Sequence, residues 1–185
     1  DLWIGTGEFP RIPQLLREGG PMVLIDTPRY LYDHHTPRII TNTPYAAYVK
    51  IAEGCSHSCA FCLIPQLRGR YRSRQMDSVV QEVEQLVARG VKEVTLVAQD
   101  TTAYGMDTGE EKGLYRLLKK LVDIEGLQWI RVLYTYPHPD NFPSPLLEII
   151  AGEKLICPYL DVPIQHIVAQ ILRRMGRRHS AQETR

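Results

Sequence analysis

No apolar run in this 185-residue sequence is long enough to cross a bilayer, and its first residues lack the basic and apolar regions of a signal peptide. Membrane-spanning and exported classes are therefore not expected, and the cytoplasm is the expected compartment. An excess of charge of either sign is lacking too. Lys and Arg number 22 against 21 Asp and Glu, a net charge of +1, so bulk charge gives no sign of a nucleic-acid partner. Cysteine is scarce, with 4 residues, and in a reducing compartment cysteines are more often metal ligands or catalysts than disulfides. An initiating methionine is lacking as well. The sequence opens at Asp1 and closes on "RRMGRRHSAQETR", soon after an apolar helix-like stretch, so a fragment of a longer chain is expected. What remains is an ordinary globular composition, 44% apolar and 23% charged, with length for one domain or for one domain and part of another.

Two parts divide the chain. Residues 1–44 are short apolar pieces broken by Gly and Pro. "DLWIGTG" reads as a strand and turn, "RIPQLLREGG" as a short helix closed by glycine, and "DTPRYLYDHHTPRIITNTP" as a linker in which His34 and His35 are expected to be solvated. From Tyr45 strands and helices alternate. "AAYVKIA" is a strand candidate that ends just before a cysteine-rich loop. "DSVVQEVEQLVARG" is a helix with Val79, Val80, Val83, Leu86 and Val87 on one face, Asp77 or Ser78 as its cap and Gly90 after its end. "KEVTLVAQD" is a near-continuous apolar strand. "GLYRLLKKLVDIEG" is a helix with Leu114, Leu117, Leu118 and Leu121 on one side. "WIRVLYT" and "YLDVPIQ" are expected as third and fourth strands, "SPLLEIIAG" and "AQILRRM" as helices.

Four strands alternating with helices predict a parallel α/β sheet with right-handed crossovers. Both open doubly wound sheets and barrels fit that order. The strand ends favour a partial TIM-like (β/α) barrel, because each carries polar or reactive residues: Glu53 and the cysteines, Gln99 and Asp100, Tyr134 to His138, Gln165 and His166. Four strands leave such a barrel incomplete at its carboxy end.

The loop "EGCSHSCAFCLIPQLRGRYRSR" places Cys55, Cys59 and Cys62 in the spacing C-x3-C-x2-C. Structural zinc takes four ligands, with Cys157, His57, His166 or His179 available as a fourth, but zinc ligands usually come as two separated couples. A [4Fe-4S] cluster fits the triplet better, since three thiolates leave one iron open to a substrate or cofactor. Gly, Ser and His around the thiols argue against three core cysteines. Cys157, beside "LI" and Pro158, reads as a small buried hydrophobe.

With Phe61 just before the last cysteine, this loop resembles the radical S-adenosylmethionine (SAM) signature. The resemblance implies a partial barrel with Cys55, Cys59 and Cys62 as metal ligands of a [4Fe-4S] cluster. It implies that SAM chelates the open iron and is cleaved to a 5′-deoxyadenosyl radical, with the protein binding and shielding the cofactor. "KIAEGCSHSCAFCLIPQLRGRYRSR", "LVAQDTTAYG" and "YLDVPIQH" followed by "ILRRMGR" are similar to the methylthiotransferase branch. "AQDTTAYG" resembles its RimO type, which modifies an aspartate β-carbon of small-subunit ribosomal protein twelve, rather than the transfer-RNA adenosine type. The domains then implied are 1–30 as the end of a small α/β amino-terminal domain, 31–44 as a linker and 45–185 as the partial barrel. Further implications are a second [4Fe-4S] cluster whose cysteines lie outside this sequence, an electron donor, a ribosomal-protein partner and no membrane. Direct nucleic-acid binding is left open, and the segment alone is expected to be inactive. Phe61 would pack beside the adenine or serve as a plain core aromatic. Gln99 and Asp100 would hydrogen-bond the methionyl end or ribose, and Gln165 would join the cofactor site or be satisfied by His166 and the backbone. No catalytic side chain is assigned beyond the cluster ligands.

Weaker signals remain. Arg68, Arg70, Arg72 and Arg74 would share a face if extended, meeting acidic groups or forming a solvated edge. Glu53 is expected to cap the cysteine loop. The alternative within the class is a transfer-RNA adenosine methylthiotransferase, and the alternative from another class is a zinc-stabilised binding module without redox chemistry.

Overall fold

A computed structural model describes residues 1–41, 43–177, 180, 182 and 183. At the amino end β1 (Leu2–Ile4) and β2 (Met22–Leu24) pair in parallel, joined through α1 (Ile12–Glu18). The helix stops where Gly19 takes φ +65° and its N–H closes on the Leu15 carbonyl at 3.1 Å, the glycine end expected from the sequence. The described residues of 25–44 form neither helix nor strand, but they are tied down. Phe9, Tyr30 and Tyr32 cluster with ring centroids 5.0, 5.2 and 5.8 Å apart. Arg38 pairs with Glu82 at 2.6 Å and donates to the Tyr48 carbonyl at 2.5 Å. His34 is half-buried rather than solvated, because its backbone N–H and ring Nδ1 both lie 3.2 Å from Ser78 Oγ.

Next come β3 (Ala46–Lys50), β4 (Ala52–Glu53), α2 (Ile64–Arg68), β5 (Arg72–Ser73), α3 (Met76–Ala88), β6 (Glu93–Val97), α4 (Gly113–Val122), β7 (Trp129–Val132), α5 (Ser144–Gly152) and α6 (Ala169–Arg174). The strands β3, β6 and β7 form one parallel sheet in that order, with α4 packed against both α3 and α5. Strands adjacent in sequence are adjacent in space, as in a (β/α) barrel. A doubly wound sheet would reverse its order at a switch point. Among the described residues the sheet stays open and does not close into a barrel.

The core follows from the two periodicities. Val79, Val83 and Leu86 of α3 and Leu114, Leu117, Leu118 and Leu121 of α4 are buried against Val49, Val94, Leu96, Ile130 and Val132 of the sheet. Val80 and Val87, on the same face of α3, are only partly buried. Burial of each such side chain stabilises by roughly 1.5–3 kcal/mol, which holds the strand ends where the site is built.

Two further expectations change. Neither Asp77 nor Ser78 caps α3: Gln75 holds the cap position without a side-chain bond, Asp77 reaches across to Lys120 at 2.7 Å, and Ser78 Oγ accepts from Arg74 at 3.1 Å. Residues 159–165 form no strand. Pairing beside β7 begins earlier, with a parallel bridge of Ile156 to Ile130 and the Cys157 N–H on the Ile130 carbonyl at 2.8 Å. Pro158 and Pro163 then remove ladder donors, and the segment continues through single bonds such as Thr135 N–H to the Asp161 carbonyl at 3.1 Å.

Candidate functional site

The register of the sheet assembles the site. Lys50 is level with Val97, and Leu96 with Val132, so the residues that follow all three strands leave one edge together. The Ile51 N–H bonds the Val97 carbonyl at 2.9 Å and the Thr101 N–H bonds the Tyr134 carbonyl at 2.9 Å, which continues this alignment past the strands. The cysteine loop springs from that edge. Its base is closed by antiparallel pairing of β4 with β5, Ala52 to Ser73 and Glu53 to Arg72. Gly54 sits at φ +78° with the Arg70 carbonyl oxygen only 2.3 Å from where a Cβ would stand, so only glycine fits there. The Cys55 N–H then reaches the Gly69 carbonyl at 3.1 Å. Glu53 lies inside this base as expected: it is buried, accepts from the Gly54 N–H at 3.3 Å, meets Arg68 at 3.5 Å and pairs with Lys50.

A second clamp comes from the end of α6. The Ala60 N–H bonds the Met175 carbonyl at 2.9 Å. Gly176, at φ +72°, packs so tightly on the loop that a Cβ would stand 2.5 Å from the Ser58 carbonyl oxygen. Between the clamps lies a cavity of about 320 Å³ lined by Cys55, Cys59, Cys62, His57, Phe61, Ile64, Ala98, Gln99, Tyr134, Tyr136 and Arg177.

The sequence-predicted residues divide around this cavity. Cys55, Cys59 and Cys62 all line it. So does Phe61, which is 52% exposed and therefore no core aromatic. Gln99 lines it too, and its Oε1 is buried without a hydrogen-bond partner among the described residues. Asp100 is placed otherwise. It is 1% exposed, outside the lining, with one carboxylate oxygen 2.6 Å from His57 Nε2 and the other accepting from the Thr102 N–H at 2.9 Å. Its carboxylate thus anchors the cysteine loop through His57, whose ring also stacks on Tyr136 at 3.7 Å and 10°. Gln165 is exposed at φ +64° and outside the lining; His166 Nδ1 accepts from the Val168 N–H at 2.9 Å. Cys157 is buried beside β7, away from the lining, and His179 lies outside the described residues.

The four arginines do not form one extended face. Arg68 belongs to α2, while Arg74 is 3% exposed and binds the Lys50 carbonyl at 2.8 Å as well as Glu82. Helix α2 and the turn at Gly69 break the alternation that an extended segment would need. Sequence reasoning gave no site role to Arg177 or Ile64, and weighed His57 only as a zinc ligand. A glycine directly before Arg177 was the available signal, since glycine marks close backbone approach.

Burial pushes the Cys55 thiol above its ordinary pKa. A hydrogen bond from the His57 backbone opposes this, while the Asp100 carboxylate and the neighbouring Cys59 and Cys62 add to it. Ligation needs the thiolate, and a bound cationic centre supplies the compensating charge. Among the described residues no three His, Cys, Asp or Glu side chains converge as on a single ion. A four-iron cube is larger than an ion, and its thiolates stand further apart. Three cavity thiols, an unpartnered Gln99 oxygen and a volume at the lower end of the roughly 300–1,000 Å³ usual for ligand pockets fit a cluster with an attached cofactor. Of the fourth zinc ligands weighed, Cys157 and His166 are outside the lining, His179 lies outside the described residues, and His57 lines the cavity with its Nε2 engaged by Asp100.

The fold and this site define a class. The profile of the Radical SAM superfamily matches residues 49–185, and the chain belongs to that superfamily. More narrowly, the chain is 47% identical, over its full length, to a protein of Geotalea uraniireducens (strain Rf4) named ribosomal protein uS12 methylthiotransferase RimO. It is 53% identical over 82% of its length to one of the same name from Koribacter versatilis (strain Ellin345). The chain spans 42% and 30% of those two relatives. A structure of the radical S-adenosylmethionine methyltransferase TsrM from Kitasatospora setae, with cobalamin and a [4Fe-4S] cluster bound, superposes on 75% of this chain and 27% of that one. Its TM-score is 0.58 at 21% identity, a likeness of fold.

Proposed function

We propose that this chain is the radical SAM core of a methylthiotransferase that adds a methylthio group to the β-carbon of an aspartate in ribosomal protein uS12. The observation that carries the reading is that three thiols share one half-open cavity with a stranded acceptor, Gln99 Oε1. Cys55, Cys59 and Cys62 would hold a [4Fe-4S] cluster, with Phe61 and Gln99 lining the cofactor space. Together the cluster and SAM supply the one-electron chemistry that breaks an unactivated C–H bond, beyond the reach of acid–base side chains. The chain's own residues hold the loop: Gly54 and Gly176 admit close backbone approach, and Asp100 fixes His57. Relatives named for uS12 favour this substrate over transfer-RNA adenosine.

The same reading makes residues 1–30 the end of a preceding domain, 31–44 a linker and 45–185 a partial barrel. It places a second cluster outside this chain, requires an electron donor and puts the reaction in the cytoplasm. Among the described residues no helix is long and apolar enough to cross a membrane. Substituting any of Cys55, Cys59 or Cys62 by Ala in the anaerobically purified full-length protein is expected to lower iron content sharply, while Cys157→Ala leaves it unchanged. Deleting the gene is expected to remove the methylthio mass increment from uS12 and leave transfer RNA intact. Tightly bound zinc without iron, or loss of methylthioadenosine with uS12 unaffected, overturns the reading.

A further inference from the structure

The functional reading leaves a second cavity unused. It holds about 420 Å³ and lies between the segment that follows β6 and the segment that follows β7, at the same edge of the sheet as the cysteine loop. The two cavities share a wall. Thr102 and Asn141 line the second cavity and Tyr136 lines the first. The Tyr136 N–H meets Thr102 Oγ1 at 3.4 Å, and Asn141 Nδ2 donates to the Tyr136 carbonyl at 3.4 Å. Through its own N–H, Thr102 is also bonded to Asp100, the residue that anchors His57.

The loop that forms this cavity has an unusual backbone. A Cβ on Gly113 would stand 2.3 Å from the Tyr104 carbonyl oxygen, and Lys112 is held at φ +55° although it is not a glycine. Non-glycine residues in that region are strained and gather at functional sites. Leu114, Pro143 and Leu146 give the cavity an apolar floor, and Met106 lines it while 57% exposed. Three carboxylates, Glu110, Glu111 and Asp140, line it as well. Glu110 is paired with Arg116. Glu111 is exposed and forms no ion pair among the described residues, and Asp140 meets only the His138 ring there, at 3.6 Å. Among the described residues Lys112 is the one cation in the lining, so negative charge prevails.

An apolar floor beside unpaired carboxylates fits a long basic side chain, whose methylenes take the floor while its cationic head meets the acids. The same charge repels the phosphates of RNA. We propose that this cavity is a docking site for a Lys or Arg of the protein substrate, in the segment of uS12 that flanks the target aspartate. The inference rests on the functional reading above. Proteins seated on RNA neutralise its phosphates with Lys and Arg, so a ribosomal protein offers such side chains. With Thr102 and Tyr136 as the wall between the cavities, a short extended segment reaches from one to the other. The basic residue then sits in the acidic cavity while the aspartate enters the cysteine cavity.

The test uses the full-length, anaerobically reconstituted protein and its Glu111→Gln, Asp140→Asn double variant, after iron content and SAM affinity have been measured in both. The two positions are exposed, so neither quantity is expected to change. Fluorescence anisotropy then gives the affinity for a labelled uS12 peptide centred on the target aspartate, and for the same peptide with its Lys and Arg replaced by Gln. The double variant is expected to weaken the native peptide about 3- to 10-fold, as two exposed charge contacts allow, and to leave the Gln peptide unchanged. Added salt is expected to weaken the native peptide more on wild type than on the variant. Charge reversal by Glu111→Lys is expected to weaken the native peptide further and again to spare the Gln peptide.

Equal affinity of wild type and double variant for the native peptide overturns the inference. An equal loss for both peptides does so too, because it would make the acids part of the fold. Loss of thermal stability or iron with peptide affinity unchanged assigns the acids to the rest of the chain and also overturns it. So does binding of a ribosomal-RNA hairpin by wild type that the double variant loses, which would make the surface one for RNA. Wild-type protein that holds iron and SAM but binds neither peptide defeats the functional reading instead, so the two failures are distinguishable.

Discussion

Asp100 offers the sharpest perturbation of the site that substitutes no cavity-lining residue. Its carboxylate is 1% exposed and accepts from His57 at 2.6 Å, the Thr102 N–H at 2.9 Å and the Thr102 hydroxyl at 2.5 Å. Asp100→Ala removes both acceptors at once. Hydrogen bonds to a charged group contribute about 1.5–3 kcal/mol each. The His57 side chain is 31% exposed, so water recovers part of its loss and its share falls at the lower end. The Thr102 amide is buried and is left with an unsatisfied donor. The His57 and Thr102 N–H bonds together contribute about 3–5 kcal/mol of local stability, and the Thr102 hydroxyl bond adds to this, where the cysteine loop meets the β6 edge.

The assay is amide exchange in the full-length protein together with iron content. The Thr102 amide is expected to exchange about 10- to 100-fold faster in Asp100→Ala, since its opening free energy drops by its own hydrogen bond. Iron content falls because His57, between Cys55 and Cys59, is no longer fixed. Asp100→Asn has a different outcome. Its amide oxygen still accepts from Thr102 and its amide nitrogen can donate to a neutral His57 ring. Iron content and exchange therefore stay near wild type. An asparagine variant as damaged as the alanine variant would show that the charge itself faces the cofactor, and would refute the anchoring role. Unchanged iron and exchange in Asp100→Ala would do the same.

Two further outcomes test the loop's clamps and its chemistry. Gly176→Ala is expected to lower iron content, because its Cβ would meet the Ser58 carbonyl at 2.5 Å at φ +72°; Gly152→Ala, with nothing within 4 Å, serves as the control that keeps it. In iron-free protein Cys55 is expected to alkylate slowly with iodoacetamide and to keep accelerating as pH rises past the ordinary thiol range of about 8.5. Burial raises its pKa, so the thiol form persists at a pH where an ordinary thiol is already thiolate. A Cys55 rate that levels off at or below that range, read by peptide mass spectrometry, contradicts the burial argument.

The sequence by itself determined most of the helices and strands and the grouping of three thiols. Leucines at 114, 117, 118 and 121 can share one face only on a helix, and α4 buries all four. The C-x3-C-x2-C spacing is local, so it keeps the three thiols near one another, and all three line one cavity. Gly19 ends α1 through its own backbone freedom. What the sequence could not fix depends on groups far apart along the chain. Asp100 reads as a strand-end polar residue open to the cofactor, but His57, 43 positions earlier, takes its carboxylate. Arg74 reads as part of a basic edge, but the Lys50 carbonyl and Glu82 draw it inside. The fourth strand looked regular by composition, but its pairing depends on which N–H groups meet β7, and Pro158 and Pro163 have none to give. Arg177 carries no local mark beyond the preceding glycine. Only the packing of Gly176 on Ser58 brings it over Phe61 and into the lining of the cysteine cavity. Periodicity and spacing act within a few residues and survive in one dimension. The partner of a buried charge is chosen by the tertiary fold, because burying that charge unpaired costs more than bending the chain to find it one.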